Sequence, residues 1–376
     1  MKATDTRSGA LTARITAGTP PDGMTDAVHA LMRSNAIPGL SMAVVDRDGV
    51  LIAGGFGLAD RGMNRPATAS TSYPWFSMTK VVSATAALRL ADEGRLDLSA
   101  PAVEYVGCLR TPGSAQPTVR QLLTHTAGLN NPLPIRWVHR PAEDAPDPEA
   151  LLCELMSRRR AYRYPVGRSA RYSNVGYLAL GQIIAAVSGM PFTEYVTRAV
   201  LRPAGMAHTG FRHADDSDRA TGYMRTPKVA DPLLRRLLPG GIAGHRDGPY
   251  LTLNDFAVDG PAYGGLIGDV LDAGRFLRLH LREGELDGIR ILSSAAARRM
   301  TSIDHAGKPF HHGIGWFRRP TDTTERWVEH FGTGAGFWNV MRLYPDRGIG
   351  VVVMTNSSTS YDFEPLFALL AGASWS

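Results

Sequence analysis

The chain has 376 residues, 44% of them hydrophobic and 20% charged, enough apolar material for one large domain or two interleaved ones. Its net charge of +6 comes almost wholly from arginine, because Lys2, Lys80, Lys228 and Lys308 are the only lysines. The arginines are scattered among acids instead of forming a stripe with aromatic residues, which argues against a nucleic-acid partner.

Two cysteines, Cys108 and Cys153, are too few for a disulfide framework and sit in no metal-ligand spacing, so both are expected as buried or partly buried thiols. The first residues, MKATDTRSGALTARITAG, hold no apolar h-region, and no later run is long enough to span a bilayer. A cytoplasmic protein with no membrane partner is the expectation.

In chain order, residues 1–23 read as an extension. LSMAVVDRDGVLIAGGFG then places two apolar runs around Asp46-Arg47-Asp48-Gly49, predicting a hairpin over 40–56. WFSMTKVVSATAALRL starts an apolar helix just after Ser77. Thr118 and Gln121 match a capping box before LLTH, and Asp147-Pro148 supply the cap and first residue for PEALLCELMSRR. Asn174 is expected to cap VGYLALGQIIAAVSG, which ends at Gly189.

Residues 225–250, rich in Pro and Gly, read as a long loop carrying LLRRLL, either a core-covering connection or a lid or substrate wall around 233–238. Asp269 caps VLDAGRFLRLHLREG. FWNVMRLYPDRGIGVVVMTNSS repeats the strand-turn-strand pattern near the end. A lone hairpin cannot stabilise itself, so the N- and C-terminal strands are expected in one antiparallel sheet. The fold class is α/β (α+β): a sheet domain from 24–72 and 258–376, flanked by helices, with a mostly helical domain, 73–257, inserted and the active site at their interface.

Three places can carry chemistry. Ser77 and Lys80 lie one turn apart on one helix face, beside a helix too apolar to be solvated all round. Burial lowers an amine's pKa by disfavouring its charged form, and a neutral lysine beside a hydroxyl is a base for a nucleophile. Tyr172 and Asn174, in ARYSNVGYLALG, offer a proton-relaying hydroxyl, with a pKa lowered by a nearby cation, and a side-chain donor and acceptor. His330-Phe331-Gly332-Thr333-Gly334 precedes a strand; a dinucleotide fingerprint needs a helix there, so a backbone edge offering an N–H to an oxyanion fits better.

Taken in order, S-x-x-K, Y-x-N and a glycine-bearing triplet on a C-terminal strand resemble the serine β-lactamase and penicillin-binding superfamily, in its class C-like branch. LLTHTAGL, PAGMAHTGF and AYGGLIG also look like recurring segments of that family, so the resemblance runs from about residue 24 to 356. It implies an acyl-enzyme mechanism with Ser77 as nucleophile, Lys80 as its base and Tyr172 as proton relay. The backbone N–H groups of Ser77 and Thr333 would form the oxyanion hole, and Asn174 would orient substrate, with no metal and no cofactor.

Where class C β-lactamases and D,D-peptidases usually carry K-T-G, this chain has His330-Phe331-Gly332. Histidine is largely neutral near pH 7, which disfavours anionic substrates, and the triplet resembles family VIII carboxylesterases and related acyltransferases. The expectation is a carboxylesterase acting on small neutral esters, its partner a small-molecule ester or acyl substrate met by Asn174, His330, Gly332, Trp338 and Tyr263. Alternatives are an acyltransferase, a β-lactamase or D-amino-acid peptidase, and, from a different class, a non-catalytic binding module. His125, at a helix end, reads as structural. His245, His311 and His312 have no zinc spacing. Trp75 and Trp316 either line an apolar pocket or pack in the core.

Overall fold

The computed structural model describes residues 13–111, 113, 115–320, 324–358 and 361–375. Of the expected N-terminal extension, residues 1–12 lie outside the described residues. Its remainder is not a free arm: Ala13–Ala17 (β1) forms an edge strand, and Met24–Asn35 (α1) follows.

Gly39–Val45 (β2) and Val50–Asp60 (β3) make the expected hairpin, whose turn is closed by Asp46 Oδ1 accepting from the N–H groups of Asp48 and Gly49 at 2.7 Å each. At the other end of the chain come His311–His312 (β4), Phe317–Arg318 (β5), Val328–Gly334 (β6), Phe337–Tyr344 (β7) and Ile349–Thr355 (β8). All pair into one antiparallel sheet in the order β1-β3-β2-β8-β7-β6-β5-β4, with β8 against β2 in a register that sets Val353 opposite Met42.

Side chains alternate across this sheet. On one face Leu40, Met42, Val44, Val351 and Val353 form a core with α1 and the C-terminal helix Glu364–Gly372. On the other, Ala43, Val45, Val352 and Met354 join the core of the helical block. The two helices that build the site, Thr79–Asp92 (α2) and Asn174–Ser188 (α3), belong to that block, while Val270–Leu281 (α4) packs directly on β2 and β8. Fully burying a Val or Leu side chain stabilises by about 1.5–3 kcal/mol, so the doubly covered β8 anchors both layers.

The expected caps at Thr118, Asp147 and Asp269 all accept backbone N–H groups. Asn174 does not cap α3. Ser173 does, because it holds the extended backbone (φ −142, ψ 122) that a cap needs and its hydroxyl accepts from Gly176 N at 3.2 Å. Residues 225–250 are not a long loop either. Gly222–Arg225, Ala243–Asp247 and Tyr250–Leu253 form a three-stranded sheet, with a short helix, Asp231–Leu237, between its first two strands. The cysteines are not free thiols: Cys108 and Cys153 are joined in a disulfide between a short turn and the helix Pro148–Ser157. Among the described residues no single helix is long and apolar enough to cross a membrane.

Candidate active site

The site is built on the turn before α2. Tyr73–Pro74 pairs with Ile267–Gly268, Trp75 N donates to Leu266 O at 2.7 Å, and Leu266 N donates to Thr79 Oγ1 at 3.1 Å. Between these anchors the 3-10 turn Phe76–Met78 leads into α2. Phe76 sits at φ 46, a left-handed conformation that a bulky residue holds only when its surroundings force it. Here they do, since its ring is wedged against those of Phe256 and Phe337, each 6.1 Å away.

The strand β6 then comes in against this turn. Gly332 stands so near that a Cβ on it would lie 1.9 Å from Trp75 O and 3.1 Å from Ser77 N. Only a residue without a side chain permits that approach. It brings the backbone of Thr333 to the cavity that Ser77 also lines.

α2 is buried along nearly its whole length, so Lys80 is fully enclosed. Its Nζ is 3.0 Å from Ser77 Oγ and donates to Tyr263 O at 2.8 Å, and it lies 4.8, 5.7 and 5.4 Å from the ring centres of Tyr172, Tyr177 and Tyr263. Among the described residues no carboxylate is paired with it. Burial therefore holds its pKa well below the ordinary amine value, leaving a neutral amine whose lone pair can take the Ser77 proton.

Tyr172 lies beside Ser77, but its pKa is not lowered as the sequence suggested. Burial pushes it well up, against the opposing effect of the Ser77 hydroxyl. The physical reason is that Lys80, the cation meant to lower it, is itself driven neutral. Tyr172 is thus a protonated phenol, a donor.

Behind Tyr172 lies a cluster that sequence reasoning missed. The rings of His125, His312 and His330 stand 4.6, 6.2 and 6.1 Å from that of Tyr172. Burial drives His125 and His330 well below the usual histidine range, and His312 to about 4. All are neutral at pH 7. His125 Nδ1 accepts from Ser173 N at 3.1 Å, which positions the start of α3, so its structural role and its place in the site are one. No spacing signal ties these three histidines together; they meet because β4, β6 and the end of the helix Val119–Leu123 converge on one tyrosine.

The expected substrate contacts divide. Asn174 and Tyr263 line the cavity, while their Oδ1 and Oη atoms are buried and, among the described residues, without a hydrogen-bond partner. His330 is buried beneath Tyr172 and does not line the cavity. Gly332 gives close approach instead of a substrate contact. Trp338 lies on the other face of the sheet, its ring stacked on Phe331 at 5.4 Å, because alternation turns it away from the turn that carries Ser77. Trp75 and Trp316 are fully buried core residues.

The cavity measures about 410 Å³ and is walled by Phe76, Trp137, Met224, Leu234, Leu238, Phe256 and Val258, with Ser77 and Thr333 at its base. Among the described residues no charged side chain lines it. Part of its apolar wall comes from residues 134–138, which no motif marks in the sequence, and part from 234–242, where LLRRLL had suggested a lid or substrate wall around 233–238.

The model of the Beta-lactamase family matches residues 24–373. Protein flp of Staphylococcus aureus (strain N315) is 25% identical over 344 residues, which cover 89% of this chain but 62% of that protein, so the chain spans less than two thirds of that curated relative. Among solved structures, the octameric penicillin-binding protein homologue from Pyrococcus abyssi superposes with a TM-score of 0.74 at 25% identity, covering 92% of this chain and 76% of that one. EstCE1, described as a hydrolase with promiscuous acyltransferase activity, superposes with a TM-score of 0.70 at 21% identity, over 94% of this chain and 99% of that one.

Proposed function

The chain belongs to the Beta-lactamase family, whose fold is that of serine hydrolases, and from that premise we propose that it is a carboxylesterase acting through an acyl-enzyme on Ser77. The observation that carries the choice of substrate is that, among the described residues, no charged side chain lines the cavity. A carboxylate placed there would lose its hydration without gaining a partner, at a cost of several kcal/mol. A neutral ester would not.

In the proposed mechanism the neutral Lys80 amine takes the Ser77 proton as Oγ attacks the ester carbonyl. The oxyanion is met by the N–H groups of Ser77 and Thr333. Tyr172 gives its proton to the departing alkoxide and regains one from the Lys80 ammonium, so the acyl group is left on Ser77 and an alcohol is released. Water then attacks the acyl-enzyme, with the same groups returning the protons. Asn174 and Tyr263, which line the cavity, orient the ester.

Acyl transfer is the second reading, favoured by the apolar walls, which exclude water in favour of an alcohol acceptor. β-Lactam and D-amino-acid peptide hydrolysis are disfavoured by the same uncharged cavity. The test is covalent labelling of Ser77 by a fluorophosphonate, absent in Ser77→Ala, together with turnover of p-nitrophenyl butyrate and of nitrocefin. Turnover of nitrocefin that rivals that of the ester would overturn the choice of substrate, and no labelling would favour a binding module. Added alcohols that raise the rate of chromophore release at the expense of free acid would favour acyl transfer.

A further inference from the structure

We propose that the lip of the catalytic cavity docks on an anionic lipid surface, from which apolar esters enter the site. Five of the eight large hydrophobic side chains that the described residues expose, Leu133 (81%), Ile135 (44%), Val229 (89%), Leu233 (60%) and Leu237 (43%), lie in two segments that border this one cavity. The short helix Asp231–Leu237 turns Leu234 toward the cavity while Leu233, one position away, faces solvent. The outer apolar surface is therefore continuous with the inner one.

The same lip carries Arg136, Lys228 and Arg236, all exposed and, among the described residues, with no hydrogen bond or ion pair to another side chain. The one acid in these two segments, Asp231, is held by Arg246. Exposed aliphatic side chains interspersed with cations that bond to no acid fit a surface that is apolar beneath and anionic at its face. A second copy paired about a two-fold axis would instead set these cations against their own counterparts. This departs from the expectation of no membrane partner, which rested on the lack of a spanning run, and a docked lip needs no span.

The ester-delivery half of the inference rests on the esterase reading, whereas docking can be measured without catalysis. Full-length Ser77→Ala protein is sedimented with vesicles of phosphatidylcholine alone and of phosphatidylcholine mixed with phosphatidylglycerol. The expected result is partition at least about tenfold stronger onto the mixed vesicles, since each cation near an anionic surface strengthens binding about fivefold, and release at high salt. Val229→Asp/Leu233→Asp, at positions that do not line the cavity, loses at least about tenfold of that partition. The same pair of changes in the Ser77 protein leaves p-nitrophenyl acetate turnover intact.

Equal partition onto neutral vesicles, no partition at all, or a doubly substituted protein that binds like its parent overturns the proposal. So does a parent dimer, in sedimentation equilibrium, that the two substitutions dissociate, because the face would then belong to a second copy. If p-nitrophenyl acetate is not turned over while vesicles are bound, the esterase reading falls and the docking surface stands.

Discussion

Gly332 and Trp75 are in such close contact that a single methyl group on the glycine would sit 1.9 Å from the tryptophan's carbonyl oxygen. Gly332→Ala must therefore push β6 away from the turn that holds Ser77, and with it the Thr333 N–H. Loss of one oxyanion donor costs on the order of 10²–10³ in kcat. We expect a fall of that size in ester turnover with little change in the far-ultraviolet circular dichroism; near-wild-type kcat would mean that the turn follows the strand.

Lys80→Met removes the proposed base and should reduce Ser77 acylation by at least about 10³-fold, measured by fluorophosphonate labelling rate. The same change should stabilise the protein. The folded-state pKa of Lys80 is depressed below the unfolded value of about 10.4. The unfolded chain thus binds the extra proton between the two values, and stability rises with pH across that window. Urea midpoints at about pH 7 and about pH 9 should rise for wild type, and the methionine variant should be more stable at the lower pH with a smaller rise. A variant that is less stable at neutral pH would show that the amine is not held neutral.

Tyr172→Phe keeps the ring between His125 and His330 but removes the hydroxyl beside Ser77. Loss of a general acid costs about 10²–10⁴-fold, read in kcat for an ester with a poor alkoxide leaving group, and less for p-nitrophenolate, which needs no proton. Because the phenol's pKa is raised and that of Lys80 lowered, the pH profile of kcat/KM should have an acid limb from Lys80 and no alkaline limb from Tyr172. An alkaline limb that disappears in Tyr172→Phe would contradict the protonated phenol.

The uncharged cavity predicts discrimination within a matched pair. p-Nitrophenyl butyrate should be hydrolysed at least about tenfold faster, in kcat/KM, than the p-nitrophenyl monoester of succinate, whose free carboxylate must be buried without a partner. Met224→Arg or Leu238→Arg, at the cavity wall, should narrow or reverse that ratio. Equal rates for the two esters in the wild type would place the acyl group outside this cavity.

Far from the site, Arg342 is fully buried with Glu329, which it meets at 2.6 Å, and it also donates to Glu364 at 2.8 Å. Arg342→Ala leaves the buried Glu329 carboxylate with Arg319 alone, which it meets at 2.9 Å, and should cost up to about 3–5 kcal/mol, measured by urea denaturation. A loss below about 1 kcal/mol would mean that Arg319 or water makes up the lost pair.

Much of the architecture was legible along the chain because its signals are local. Caps at Thr118, Asp147 and Asp269 depend on one short side chain and the three residues after it, and the 40–56 hairpin on period-two alternation around Asp46 to Gly49. Even so, Ser173 and Asn174, two adjacent cap-forming residues, could be separated only by backbone dihedrals. The 225–250 stretch was misjudged because its Gly and Pro residues close tight turns between strands whose pairing is not local. Cys108 and Cys153, 45 residues apart, likewise become partners only through the fold.

For the site, the sequence by itself determined which residue types stand together on one helix: a serine, a lysine one turn later, and an apolar surround that forbids a charge. That much follows from helical periodicity and the cost of desolvation. Only the tertiary structure decided that Lys80 has, among the described residues, no carboxylate to keep it protonated, that Tyr172 is a buried phenol, and that His330 lies beneath it, away from the cavity. Those properties are set by groups dozens to hundreds of residues apart, because dielectric and close approach depend on what packs around an atom, and no spacing in the chain encodes that.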